Sequence, residues 1–117
     1  MRRFAVGAGV CSMLFAGSVL AHHGWNEYDA NKPLTLSGAV IDSGYDNPHG
    51  FVRMKAGDRT WRVILAPPSR MEARGLPRGT LKPGVAISVV GYPHRTDAQE
   101  LRAERITVES GSAVELR

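Results

Sequence analysis

Three segments in which apolar residues alternate with polar or small ones constrain the fold of this 117-residue chain most strongly. Successive side chains of a β-strand point to opposite faces, so this alternation predicts strands with one buried face each. The apolar members are Leu34, Leu36 and Val40, then Trp61, Val63 and Leu65, and finally Val85, Ile87 and Val89. The chain is therefore predicted to be mainly β.

Glycine and proline divide these strands. Gly38 lies inside the first strand and predicts a bulge or a sharp bend there. Pro67-Pro68 ends the third strand because proline cannot donate to a β-ladder. Lys82-Pro83-Gly84 places proline and glycine where a type II turn requires them. Ser69 and Glu72 have the spacing of a capping box, which predicts a short helix beginning at Arg70.

The order of these elements predicts a small OB-type five-stranded barrel with one short helix. A small mixed sandwich is the alternative architecture. The strands are expected near residues 34–40, 51–54, 60–65, 85–89 and 101–108, with a short sixth strand near 113–116.

The first 21 residues have the pattern of a secretory signal peptide. Arg2 and Arg3 precede a mostly apolar stretch, and Val19 and Ala21 are small or aliphatic residues before the expected cleavage point. Glycines and serines interrupt this stretch, so removal is favoured over a permanent membrane anchor. Cys11 follows Val10 rather than a small residue, which disfavours a lipoprotein anchor. The protein is expected to be periplasmic or secreted.

Cleavage after Ala21 leaves 96 residues, enough for one small domain. We expect an extended N-terminal arm over residues 22–33 and a barrel domain over residues 34–117. Without Arg2 and Arg3, Lys and Arg fall from 15 to 13 against 11 Asp and Glu, so the net charge falls from +4 to +2. This small charge gives no support to nucleic-acid binding, and no cysteine remains to form a disulfide or a thiolate metal site.

The candidate site consists of histidines. Cleavage would free an α-amine on His22, which could then bind a metal ion through that amine and its own ring. His49, presented by the Asn47-Pro48 turn, is the expected partner, and His23 is an alternative ligand from the arm. Nitrogen ligands of this kind favour copper, with zinc or nickel also possible. His94 lies in an expected loop and is the weakest candidate.

A metal-free function is the competing hypothesis. OB-type barrels present a curved sheet face to ligands, and Arg53, Arg62 and Tyr45 would serve on such a face. Another periplasmic protein or a small ligand would then be the partner. No phosphate-binding loop or cysteine nucleophile marks an enzyme, so a binding protein is favoured over a catalyst.

Several short strings, taken together, resemble a family of small secreted bacterial proteins known as domain of unknown function 6152. They comprise Ala21-His22-His23, Tyr28-Asp29-Ala30-Asn31-Lys32-Pro33, Asn47-Pro48-His49, Leu81-Lys82-Pro83-Gly84 and Gly91-Tyr92. The resemblance implies an exported, single-domain protein and no established activity.

Overall fold

The computed structural model describes residues 24–117; the predicted signal peptide and the candidate ligands His22 and His23 lie outside these residues. A short 3-10 helix (Trp25–Glu27) comes first. The remaining elements are β1 (Leu34–Gly44), β2 (Phe51–Ala56), β3 (Arg59–Ile64), α1 (Pro68–Ala73), β4 (Ala86–Pro93), β5 (Glu100–Val108) and β6 (Ala113–Glu115).

Five strands close into a barrel, as the sequence predicted. β1 pairs with β2 on one side and with β4 on the other, and β2 continues to β3, all antiparallel. β4 pairs with β5, which returns to β3 through a short parallel ladder that includes Val63 opposite Leu101. β6 adds to β5 outside this circuit. The fold is therefore mainly β, an OB-type five-stranded barrel with one short helix.

The alternating apolar residues fill the barrel. Val63, Val89 and Leu101 have no exposed surface, and they belong to one continuous core. Val85 lies just before β4 and is half-buried, packed against the edge of this core. The strand register inferred from the period-two pattern is confirmed.

The helix begins earlier than predicted, and its capping box does not form. Pro67 is the N-cap residue, and no side chain caps the helix. Pro68 occupies the first helical position, where its fixed φ suits a helix and its missing N–H costs nothing. Ser69 therefore lies inside the helix rather than at its start. This helix has six residues, and among residues 24–117 no helix is long and apolar enough to cross a bilayer.

Gly38 permits a close approach of strands rather than a bulge. A Cβ atom at this position would lie 1.8 Å from the carbonyl oxygen of Lys55 in β2. The register shift between β1 and β2 falls later, between Val40 and Asp42. The irregularity that the sequence predicted at Gly38 therefore lies further along β1, between Val40 and Asp42.

Candidate functional site

The outer face of β5 carries charged side chains that are almost completely buried. Leu101 and Ala103 point into the barrel core, so the alternating residues Glu100 and Arg102 point outward. Both are nevertheless only 4% exposed. Ile64, opposite Arg102 in β3, is 1% exposed although it lies outside the core cluster. Some other part of the chain must therefore cover this part of the barrel.

The segment preceding β1 provides this cover. Tyr28 forms an isolated antiparallel bridge with His94. The backbone N–H of Asp29 donates to the carbonyl of Pro93 over 2.9 Å, and that of Arg95 donates to the carbonyl of Glu27, also over 2.9 Å. These bonds fasten the arm along the end of β4 and the loop after it.

Tyr28 connects the arm to the buried carboxylate of β5. Its hydroxyl donates a hydrogen bond to Glu100 Oε2, and its ring packs edge-on against His94 with 5.1 Å between centroids. Burial raises the pKa of Tyr28 far above its usual value, and the Glu100 carboxylate raises it further. The phenol therefore stays protonated and continues to donate to Glu100.

Arg102 connects the arm to His49. Its guanidinium carbon lies 4.3 Å from the centroid of the Trp25 ring, a cation–π distance. Its Nη2 lies 3.3 Å from Nε2 of His49. Arginine can only donate, so this ring nitrogen accepts. Burial is the main cause that lowers the pKa of Arg102, and the charges of Arg70 and Arg117 lower it further.

His94 lies at the start of the loop after β4, in the loop position expected from the sequence, but its side chain is buried. It is 6% exposed. Its Nδ1 accepts hydrogen bonds from the backbone N–H groups of Thr96 at 3.1 Å and Asp97 at 3.0 Å. Because Nδ1 accepts both, the proton of the neutral ring lies on Nε2, which is 3.8 Å from Glu27 Oε1. His94 therefore shapes the loop that receives the arm.

Of the predicted metal ligands, the structure describes His49 alone. It lies half-buried between β1 and β2, with its ring against Arg102. Within residues 24–117, no three histidine, cysteine or acidic side chains are grouped as a metal site would require. His22 and His23 are outside the described part, so the predicted ligand set stays a prediction.

Sequence reasoning identified Trp25 and Tyr28 as the residues that hold the arm, but it missed the barrel residues to which they attach. Glu100 and Arg102 alternate with apolar residues in β5, and this pattern is typical of a solvated outer face. The only signal was the aromatic content of the arm, since Trp25 and Tyr28 in a segment without periodicity need a surface to pack against. The sequence contains nothing that identifies that surface as β5.

The model of DUF6152, described as a family of unknown function, matches residues 10–114. The chain belongs to this family. The match includes His22, His23 and His49 as well as the whole barrel. A search of curated proteins finds none that matches the chain.

Solved structures with a similar fold include crystal structures of TiaS. Its complex with tRNA and ATP is 16% identical with a TM-score of 0.54. A second complex, with tRNA, AMPCPP and agmatine, is 18% identical with the same TM-score of 0.54. Both alignments cover 73% of this chain but 20% of TiaS. A ZRD-deleted TiaS mutant with agmatine is 17% identical, with a TM-score of 0.51, over 76% of this chain and 25% of that one. At these identities the likeness establishes the fold alone.

Proposed function

We propose that this member of DUF6152 is an exported metal-binding protein, with copper as the favoured metal. The ligands are the free amine and ring of His22 together with the ring of His49, and His23 is the alternative ligand from the arm. This proposal requires cleavage after Ala21, since only an N-terminal histidine offers an amine and an imidazole to the same ion.

One observation supports the proposal above the others: the arm is fastened to the same guanidinium that contacts His49. Trp25 packs on Arg102, and Arg102 donates to His49. His23 is two residues before Trp25, so covalent geometry limits the separation of their Cα atoms to about 8 Å. The proposal therefore requires only a short stretch of chain between the Trp25 contact and the arm ligands.

The protonation state of His49 suits a metal ligand. A donor-only guanidinium faces its Nε2, and this contact favours the neutral ring, which is the form that binds metals. The contact of 3.3 Å is long for a hydrogen bond. A metal ion that binds at Nε2 would take the place of this contact.

Copper titration of the exported protein tests the proposal. Mass spectrometry should first show that the mature chain begins at His22. Cu(II) should then bind with one-to-one stoichiometry, measured by calorimetry and by electron paramagnetic resonance. Acetylation of the α-amine and the substitution His49→Ala should each weaken binding at least tenfold, because each removes one nitrogen ligand. Zn(II) and Ni(II) titrated in parallel establish the metal preference.

The matched control is Asn47→Ala, a substitution in the same turn that removes no metal ligand. This variant should bind copper like the parent. His94→Ala is unsuitable as a control, because that ring holds the loop that receives the arm. A mature protein that begins at Gly24 or later, or one that ignores a stoichiometric excess of copper, would contradict the proposal.

The second candidate is metal-free binding on the outer face of β2 and β3. The exposed Arg62 supports it, since its guanidinium carbon lies 5.4 Å from the Phe51 ring. Two other predicted residues are engaged elsewhere: Arg53 pairs with Asp42 at 2.7 Å, and the Tyr45 hydroxyl donates to backbone carbonyls from a buried position. A guanidinium favours carboxylates. Titration with an acidic oligosaccharide, compared between the parent and Arg62→Ala, tests this candidate.

A further inference from the structure

His94 connects the loop after β4 to the arm. Its side chain is buried, although imidazole is a group that ordinarily changes charge between about pH 5 and 8. Its Nδ1 accepts hydrogen bonds from two backbone N–H groups, and its ring packs against Tyr28 of the arm. We propose that His94 is a pH-sensitive switch: a proton on its ring opens the β4–β5 loop (residues 94–99) and releases the arm from the barrel. The switch requires no metal ion.

The geometry at Nδ1 requires the neutral ring. The backbone N–H groups of Thr96 and Asp97 point at this nitrogen, with N to Nδ1 distances of 3.1 and 3.0 Å. A backbone N–H can only donate. A proton added to Nδ1 makes this nitrogen a donor as well, so three hydrogens would converge and both bonds would be lost. Because the ring is buried, water cannot replace these bonds unless the loop moves.

The carboxylate of Glu27 in the arm attracts a protonated ring only weakly. Its Oε1 lies 3.8 Å from Nε2 of His94, beyond hydrogen-bond distance, and its side chain is 41% exposed. An ion pair of this kind contributes little, because water screens it. In β4, the neighbouring Tyr92 ring packs against Trp25. The attraction to Glu27 therefore does not offset the loss of two bonds at Nδ1.

The other charged groups around His94 have their own partners. The Asp97 carboxylate accepts from the backbone N–H of Gln99 over 3.0 Å. In β5, the Glu100 carboxylate accepts from the hydroxyl of Tyr28. The guanidinium carbon of Arg102 lies 6.0 Å from the centroid of the Tyr28 ring. Protonation of the His94 ring is therefore the change that acts directly on the loop.

The arm depends on this loop for its attachment. Asp29 donates from its N–H to the carbonyl of Pro93 over 2.9 Å, and Arg95 donates from its N–H to the carbonyl of Glu27 over 2.9 Å. The Nε of Arg95 also donates to the carbonyl of Asn26 over 3.1 Å. All three bonds include a residue next to His94. Since the attached state requires the neutral ring, its stability falls as the pH falls.

Release of the arm would change the surface of β5. Tyr28 would leave Glu100, and Trp25 would leave Arg102. At neutral pH the arm covers this carboxylate and this guanidinium. In acid, both groups would become available to water and to ligands.

Hydrogen exchange of single amides tests the switch, measured by NMR on the exported protein in metal-free buffer. The amides of Asp29 and Arg95 report on the attachment of the arm, whereas that of Leu65, which donates to the carbonyl of Gly50 over 2.8 Å, reports on the barrel. From about pH 7.5 to about pH 5, the protection factors of the two attachment amides should fall about tenfold, the effect of losing two hydrogen bonds. The protection factor of Leu65 should stay constant.

His94→Asn separates the acceptor from the proton. An asparagine Oδ1 accepts hydrogen bonds from the backbone N–H groups that follow it in an Asx-turn, but it does not titrate. This variant should keep the attachment amides protected at both pH values, whereas His94→Ala should lose protection at both. The matched control is Thr96→Val, which removes a hydroxyl 3.3 Å from Nδ1, keeps both backbone donors and should respond to pH like the parent.

A titration of the His94 ring in the parent, followed by nitrogen-15 NMR, should have the same midpoint as the loss of protection. A parent whose attachment amides stay protected at about pH 5, or a ring that titrates with a different midpoint, would overturn the switch. A His94→Asn protein that loses protection in acid as the parent does would assign the response to another group, and would overturn the role of His94.

Discussion

At the scale of single residues, the most unusual feature is a carboxylate and a guanidinium buried outside the barrel core. Glu100 and Arg102 are tolerated there because each has partners. Tyr28 donates to Glu100, while Trp25 and His49 contact Arg102. A buried charge without such partners would cost several kcal/mol. The partners of these two charges come mostly from the arm, so the arm and the charges depend on each other.

Tyr28→Phe tests this dependence. The ring still packs on His94, but the buried Glu100 carboxylate loses its donor, so the free energy of unfolding should fall by about 1–3 kcal/mol in urea denaturation. The pKa of Tyr28 is raised from its ordinary 10.0, so its contribution is complete below about pH 10 and is lost as the pH rises above it. The difference between parent and variant should therefore be constant from about pH 7 to 9 and shrink at higher pH.

Tyr92→Phe is the control for this measurement. Tyr92 is half-buried beside Trp25, with 6.2 Å between ring centroids, and within residues 24–117 its hydroxyl has no recorded hydrogen-bond partner. Its loss should change the stability by less than about 0.5 kcal/mol. Equal effects of the two substitutions would contradict the special role of the Tyr28–Glu100 bond.

At the scale of elements, the strands were predictable and the functional surface was not. Val63 and Val89 are buried in the barrel core, as their period-two pattern predicted. Each strand can be recognised locally because its buried face appears in its own sequence as alternating apolar residues. The contact of Trp25 with Arg102 joins residues 77 positions apart, as the two residue numbers show, and no local pattern encodes it. The helix start was missed because Pro68 at the first helical position replaced the predicted cap at Ser69.

Gly38→Ala tests how closely β1 and β2 must approach. The added Cβ would meet the carbonyl oxygen of Lys55, a backbone atom that cannot move aside without separating the strands. We expect a loss of about 1–3 kcal/mol in the free energy of unfolding. Ser37→Ala, one residue earlier and exposed, is the control and should have little effect. A Gly38→Ala protein as stable as the parent would show that β1 and β2 can separate enough to admit a side chain.

At the scale of the whole molecule, the protein has a barrel core and a second buried layer outside it. The inner core is closed by the short ladder between β3 and β5, and the outer face of this same ladder carries Ile64, Glu100 and Arg102. The arm thus covers the place where the barrel closes. It follows that the arm should contribute to the stability of the barrel as well as to the proposed site.

Comparison of two shortened proteins tests this contribution. A chain of residues 24–117 keeps the arm contacts described above, whereas a chain of residues 34–117 keeps every strand but loses Trp25 and Tyr28. Removal of the arm deprives Glu100 of its donor and Arg102 of its contact with the Trp25 ring. The free energy of unfolding of the shorter chain should therefore be lower by at least about 2 kcal/mol. Urea denaturation followed by circular dichroism measures the unfolding of the barrel in both chains. Equal stability of the two chains would mean that the barrel closes without its cover, and would confine the role of the arm to the candidate site.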